Sequence, residues 1–431
     1  MFKTLVNAFK DASVRKKILW TLFILFIYRL GCYIPVPGLN PDSIAAAVGG
    51  NSLAGDSALV GVISAVTGGA FSTGTIFALG IVPYINASII MQLLTMVIPV
   101  FSRWSKEGEE GRKKISKATR VASLILAAIQ AVGVVLSWKN SSAITSNMFG
   151  SVEATCIVVG LILVAGSSLC MWLGERITQL GIGNGTSLII FVGILSTAGT
   201  ALWQSIINLG SGASIWELII FVAVVLVIFG VIVWMDLSER RIPVQYAKQV
   251  KGNKMYGGQN THIPIRINAS GVMPIIFASA LLMFPQMIAS FWPDSGFYAF
   301  MVGPTWSWIS IVLTALLIVF FAFFYAQMQF NPDDVARNIQ QYGGTIVGVR
   351  PGKNTSDYLK KINNRITLFG AIFLAILALI PGVLFTAIDT TGLLSGAFTA
   401  TGMLIVVSVA LEFDKQLEAQ LMMKHYKGFL K

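Results

Sequence analysis

Ten long apolar runs separated by polar stretches set the rhythm of the chain. They extend from Ile18 to Val36, Thr75 to Val97, Val121 to Trp138, Ala154 to Leu173, Ser187 to Ile206, Trp216 to Met235, Gly271 to Phe291, Trp308 to Gln327, Ile366 to Leu384 and Gly396 to Phe413. Each approaches the about 20 residues that a helix needs to cross a hydrocarbon core about 30 Å thick. An all-α protein with ten transmembrane helices is predicted. Pro83 and Pro274 lie inside these runs and are expected to kink helices rather than end them, where neighbours satisfy the freed carbonyls. The small-residue segment from Ser57 to Thr73, containing ALVGVISAVTGGAFS, is different. A helix of about ten residues rises only about 15 Å, too little to cross. Two readings fit it: a re-entrant element buried in the bundle, or a Gly- and Ser-rich surface loop.

Two long polar segments also interrupt the rhythm. Residues 236–268 contain IPVQYAKQV and HIPIRIN, which alternate apolar and polar positions around Gly252-Asn253 and predict a short β-hairpin. Residues 331–365 are expected to form a long loop with turns at Asn331-Pro332, Gly343-Gly344 and Pro351-Gly352. Loops of that length usually carry function. Arg and Lys interleaved with Tyr246, Tyr256 and Tyr358 fit a docking face for RNA or protein, and equally a solvated loop that only sets topology.

Composition agrees with the pattern. Of 431 residues, 55% are hydrophobic and 12% charged, against about 25% charged in soluble domains. A soluble enzyme is excluded as the simplest reading. The net charge of +12 is unevenly placed, because 29 of the 31 Lys and Arg fall at the start, the end or in alternate loops. The opposite loops hold Lys139 alone, and Arg29 lies inside the first run. By the positive-inside rule both termini are cytoplasmic, which requires an even number of spans. The first run lacks a small-residue cleavage site and continues into Pro35 and Pro37, so it is expected to be retained rather than removed as a signal peptide. Cys32, Cys156 and Cys170 are odd in number and set in apolar surroundings, which predicts buried small hydrophobes rather than a disulfide framework or a metal cluster.

Candidate chemistry is sparse. Ion-coupled carriers place carboxylates or histidines within their spans, yet Glu153, Glu175, Glu217, Asp236, Asp389 and Glu412 all lie near span ends. Arg29 is expected to face a helix or pair with backbone. The GIGNG at Gly181–Gly185 lacks the dinucleotide spacing, and GVRPGKNT has its first glycine too near Lys353 and Asn354 in place of Ser or Thr. His262 and His425 sit outside the runs. No cofactor, metal or catalytic residue is expected, and the chain is not read as an enzyme. An apolar aqueous pathway is the simpler reading; a secondary solute transporter is the alternative, and a poreless assembly factor a third class.

Five stretches carry a resemblance. YRLGCYIPVPG (Tyr28–Gly38), FALGIVPYINASIIMQLLT (Phe77–Thr95), MWLGERITQLGIGNGTSLIIF (Met171–Phe191), THIPIRINASGVMPIIFAS (Thr261–Ser279) and NPDDVARNIQQYGGTIVGVRPG (Asn331–Gly352) closely resemble the SecY family of protein-translocation channels, in order and over nearly the whole chain. The resemblance implies two inverted five-helix halves, residues 1–209 and 210–431, around a pathway. It implies a central constriction of Ile81, Ile85, Ile190, Ile276 and Ile405, although each isoleucine taken singly also fits ordinary packing. It makes residues 57–73, with Val60, Val62, Ile63 and Val66, a re-entrant plug helix.

It further implies a lateral gate with Asn86 facing Phe284 and a polar patch of Gln92, Gln130 and Asn268; each amide also fits simple interhelical bonding. Asn86 stands where the family often has Ser, and Met273 where Ile is common. Arg240, Arg241, Lys248 and Arg350 correspond to docking sites for the SecA ATPase and for the ribosome with its RNA. The expected partners are SecE and SecG, SecA, the ribosome, secretory and membrane protein substrates, and the lipid of a bacterial cytoplasmic membrane.

Overall fold

The computed structural model describes residues 8–40, 43–44, 64, 66–140, 143–144, 151–208, 215–246, 249–251, 254–256, 261–268, 271, 273–289, 295–388, 398 and 400–428. Its helices are α1 (Ala12–Gly31), α2 (Val82–Val97), α3 (Pro99–Lys106), α4 (Glu109–Asn140), α5 (Val152–Leu180), α6 (Gly185–Ile207), α7 (Ile215–Leu237), α8 (Met273–Ala289), α9 (Gly296–Val302), α10 (Pro304–Gln329), α11 (Pro332–Gln341), α12 (Lys353–Ile388) and α13 (Ala400–Gly428). The strands are β1 (Glu239–Tyr246), β2 (Gln249–Lys251), β3 (Lys254–Tyr256), β4 (Thr261–Arg266) and β5 (Gly344–Ile346). Each of the ten predicted spans overlaps one of these helices. Among the described residues, stretches of α4, α5, α6, α7, α10 and α12 are long and apolar enough to cross a membrane, and α2 with α3 passes the same test as a pair bent by 102°. Arg15, Lys16, Lys17 and Arg29 crowd the 20 residues of α1, and α8 has only 17.

Several boundaries move for local reasons. The first run stays apolar to Val36, but α1 stops at Gly31, and Pro35 then bridges to Thr75. Residues 75–81 turn rather than helix, with Gly74 and Gly80 at positive φ, and α2 begins only at Val82. Pro83 and Pro274 therefore do not kink helix interiors. They sit in the first turns of α2 and α8, where the missing N–H is unpaired in any helix; Pro285 is the one inside α8. Ser151 and Asn184 cap α5 and α6 by accepting from the backbone N–H groups of Ala154 and Thr186.

The chain divides into two compact units. The first comprises Met1–Phe221, Ala280–Ser310 and Leu384–Lys431. In it α2 packs on α4, α4 on α5, α5 on α6, and α6 on α13, while α1 lies against α5 and α6. Small residues permit the closest approaches. A Cβ on Gly166 would overlap the Ile76 carbonyl, and one on Gly185 the Gly174 carbonyl. The GIGNG stretch thus serves a helix–helix crossing: the Gly185 N–H donates to Thr178 Oγ1 at 2.9 Å. Val36, Ile44, Trp138, Ala143, Val159 and Leu163 form one buried cluster. Ala8, Val14, Ile18, Ile182 and Leu417 form another, which joins the start of α1, the α5–α6 turn and α13.

The second unit comprises Val222–Ser279 and Ile311–Val383. Its sheet has the order β4-β1-β5, all antiparallel, with Pro243 opposite His262 and Val244 opposite both Thr261 and Ile346. β2 and β3 continue the hairpin around residues 252–253, as the alternation predicted. The 331–365 segment is not a long loop. It folds into α11, β5 and the first turns of α12, because Asn331 caps α11, Asp333 and Asp334 occupy its first turn, and Thr355 N–H bonds back to the Gly352 carbonyl. The three turn signals all mark real breaks: Asn331 caps the start of α11, and Gly343 and Gly352 adopt positive φ.

Candidate functional site

Non-helical backbone inside the first unit makes the most unusual feature. Ser64 and Val66 are helical, and the chain then turns through Thr67, Gly68 and Gly69, whose glycines have φ of 69° and 84°. The left-handed pair is accessible because neither residue carries a Cβ. The Gly69 N–H closes onto the Ser64 carbonyl at 2.8 Å, and the Thr73 N–H and hydroxyl both donate to the Gly69 carbonyl. This root is seated on three elements. Arg29 Nη1 of α1 donates to the Gly68 carbonyl at 2.8 Å. A Cβ on Gly193 of α6 would crowd the Val66 carbonyl, and one on Gly80 would press on Thr67 Cγ2. Cys32, 4% exposed, points its Sγ at the Thr67 carbonyl. All three cysteines are free thiols; Cys170 is also buried and Cys156 half-buried. Of the four plug residues expected from the sequence, Val66 is half-buried in this root, and Val60, Val62 and Ile63 lie outside the described residues.

The isoleucines occupy two settings. Ile81 is the residue before α2 and is buried; its Cδ1 lies against Gly174 of α5. Ile85 follows one turn later and is half-buried. Ile190 on α6 and Ile405 on α13 are both buried, on helices that pack together. These four belong to the first unit; Ile276 is half-buried on the α8 portion of the second.

Asn86 of α2 is 3% exposed, and its Oδ1 has no hydrogen-bond partner among the described residues. Gln130 of α4 is buried and Gln92 of α2 half-buried. Phe284 lies on α8, with its side chain outside the described part. Asn268 is differently engaged. Its amide donates to Asp236 Oδ1 at 2.6 Å, tying the end of β4 to the end of α7, while its own Oδ1 has no partner among the described residues.

Ile242 and Val244 of β1 and Ile265 of β4 turn inward onto Ile339, Ile346 and Leu359. Arg241 lies on the opposite face of β1, while Arg240 shares the inward face but stands at the strand's exposed start, so both are exposed. Arg241 Nε pairs with Glu239 at 2.7 Å, and that hydrogen bond holds the Glu239 carboxyl below the usual carboxylate range. Arg350 is exposed on the turn before α12, where its carbonyl accepts from Thr355 Oγ1 at 2.9 Å and Ser356 bonds to Asp333. Lys248 lies outside the described residues. Sequence reasoning missed Gly68, Gly193 and Gly80 as seat residues; the signal was two adjacent glycines plus a cation within an apolar run.

With this geometry in hand, the known proteins are instructive. The family profile described as SecY matches residues 75–413. The chain is 40% identical over 442 residues to the protein translocase subunit SecY of Streptomyces coelicolor and 39% over 451 residues to that of Halalkalibacterium halodurans, covering all of both partners in each case. Among solved structures it is similar to one described as a protein conducting channel (TM-score 0.65, 20% identity, 95% of this chain and 93% of that one). It is similar to another in which the plug domain of SecY is described as stabilising the closed state of the channel (TM-score 0.64, 20% identity, the same coverage). A third is Sec61 in the canine ribosome-channel complex (TM-score 0.61, 18% identity, the same coverage). Full-length identity near 40%, together with this helical architecture, means that the chain belongs to the SecY family.

Proposed function

We propose that this multi-pass membrane protein is the channel subunit of a bacterial protein translocase. It passes unfolded secretory polypeptides across the cytoplasmic membrane and releases apolar segments sideways into lipid. It performs no chemistry of its own; SecA or the translating ribosome supplies the energy. The observation that carries this reading is the Val66–Gly69 root, irregular backbone seated between α1 and α6 in a chain that matches translocase subunits end to end. Backbone of that kind at membrane depth is tolerated only when buried in protein or lining a water-filled cavity. A solute transporter finds no support in the relatives described above, which are named as translocase subunits or channels.

In this reading Ile81, Ile85, Ile190, Ile276 and Ile405 form the constriction. Bulky apolar side chains exclude water and ions when closed, and yield around an extended chain without binding it. The 57–73 segment, including Val60, Val62, Ile63 and Val66, is the plug, and its displacement is the gating step. Asn86, Gln92, Gln130, Asn268 and Phe284 form the lateral gate. Interhelical polar bonds in membranes average about 0.6 kcal/mol, so a few hold a gate that an apolar signal helix can open. The buried Oδ1 of Asn86, without a partner among the described residues, favours opening, while Asn268 enters with its amide already engaged by Asp236. The halves 1–209 and 210–431 form the inverted repeat. SecE and SecG complete the channel. The burial of Val14, Ile182 and Leu417 in one cluster supports placing the start of α1, the α5–α6 turn and α13 on one side, which the positive-inside rule makes cytoplasmic.

Arg240, Arg241, Lys248 and Arg350 form the docking face for SecA and the ribosome. The canine Sec61 structure, captured on a ribosome, supports the second partner. Cations there neutralise RNA phosphates with salt-dependent affinity, and Arg grips carboxylates of a motor protein bidentately. Photo-crosslinkers at Ile190 or Ile276 are expected to capture a stalled secretory chain; probes that never touch it, with every accessory factor supplied, sink the channel reading. Arg350→Glu is expected to cripple SecA-driven secretion while insertion of the protein itself stays normal. Secretion at the wild-type rate removes Arg350 from the docking face.

A further inference from the structure

Arg29 is a cation placed in an apolar run, and the contacts around it show what it does there. Its Nη1 donates to the Gly68 carbonyl at 2.8 Å and its Nη2 to the Tyr33 hydroxyl at 2.9 Å, and its guanidinium lies 4.8 Å from the Tyr33 ring centre. Gly68 is 39 residues away in the chain and is held in a left-handed conformation that turns its carbonyl toward α1. On its other side the root meets Gly193, where a Cβ on Gly68 would already touch backbone. The root is closely packed, with Thr67 and Ala70 buried and Phe71 against Trp138. Arg29 adds a charge-assisted hydrogen bond, the strongest kind of polar attachment, since bonds to charged groups are about twice as strong as neutral ones.

We infer that Arg29 is the latch of the plug, a positioning residue that holds the root by its backbone and sets how often the resting channel opens. The inference rests on the plug reading of residues 57–73. The latch is reversible for a physical reason. When the root leaves, the guanidinium loses one bond but keeps the Tyr33 hydroxyl and ring. Opening then costs the cation one charged hydrogen bond, and it keeps a hydroxyl and a ring face rather than being left without a partner. Because the bond is made to a carbonyl, it is indifferent to plug side chains.

The test uses the purified full chain, assembled with its translocase subunits, in planar bilayers. Four forms are compared: wild type, Arg29→Met, Arg29→Lys and a deletion of residues 57–65. The deletion is expected to raise resting conductance. Arg29→Met is expected to raise the resting open fraction about tenfold, the loss of one charged bond, and Arg29→Lys to restore most of the seal. Added to the deletion, Arg29→Met is expected to do nothing more. Wild-type conductance in Arg29→Met beside a leaking deletion overturns the latch and leaves the plug standing. A deletion that does not leak overturns both. Additive leaks overturn the latch, because the second leak then arises elsewhere.

Should Arg29→Met fail to assemble, Arg29→Gln takes its place, with an intermediate leak expected. A second readout is labelling of Cys32 by a water-soluble maleimide in a Cys156→Ser background. Cys32 lies under the Thr67 carbonyl and is expected to label several-fold faster in Arg29→Gln; an unchanged rate overturns the proposal.

Discussion

Two segments of this protein are rooted in opposite ways. At Gly68 the seat is made by leaving side chains out: Gly193 lets backbone approach backbone, Gly80 makes room for the Thr67 side chain, and one guanidinium holds the carbonyl. At the base of the 239–266 hairpin the anchor is made by putting side chains in. Ile242, Val244 and Ile265 interlock with Ile339, Ile346 and Leu359, and each such buried side chain is worth about 1.5–3 kcal/mol. The first root is tied to α1 through one charged hydrogen bond to its backbone, a contact that on the plug reading is broken and remade. The second spreads its stabilisation over many contacts, which on the docking reading suits a platform for Arg240, Arg241 and Arg350. How each root is held follows from what fills the interface, not from loop length.

That contrast can be broken from either side. The largest effect is expected from Ile265→Ala, which leaves a cavity in the hairpin base and costs about 2–5 kcal/mol locally. Hydrogen exchange should accelerate across 239–246 and 261–266, with resting conductance unchanged. If conductance rises as well, the two roots are not independent. Gly193→Val is expected to do the reverse: a Cβ there overlaps the Val66 carbonyl, so about 1–3 kcal/mol of overpacking should lift the root and raise resting ion leak, with hairpin exchange untouched. A tight channel would show that the seat does not need its glycine floor.

The smallest effect concerns the exposed Glu239–Arg241 pair. The Glu239 carboxyl titrates below its ordinary range because of its bond to Arg241, so its contribution is present above the unfolded carboxylate range and fades as pH falls through the folded value. Protection of the β1–β4 hydrogen bonds should weaken slightly on acidification, and Glu239→Gln should abolish that dependence. A pH response that survives Glu239→Gln would assign it to another group.

The legibility of these two regions differs for physical reasons. The hairpin announced itself because strand alternation is a period-two signal carried by neighbouring residues, and Ile242, Val244 and Ile265 keep it. Its third strand, β5, stayed hidden: three residues, Gly344–Ile346, carry no period, and they pair only because α11 brings them beside β1. The 331–365 segment read as a loop for a related reason, since α11 is so short that its apolar face is only Val335, Ala336 and Ile339. At the Gly68 root, Arg29 was visible as an anomaly, but its partner was not.

What the sequence determined by itself was the set of apolar runs, the lopsided placement of Lys and Arg, and the absence of acids from span interiors. These are local properties, imposed by the thickness and low dielectric of the bilayer on any chain that crosses it. Only the tertiary structure decided that α1 stops at Gly31, that Arg29 reaches the Gly68 carbonyl, that Asn268 is tied to Asp236 and that Gly193 floors a seat. Such choices depend on which distant backbones meet. A carbonyl that accepts a bond, or a glycine that permits an approach, has no side chain to betray it in the sequence.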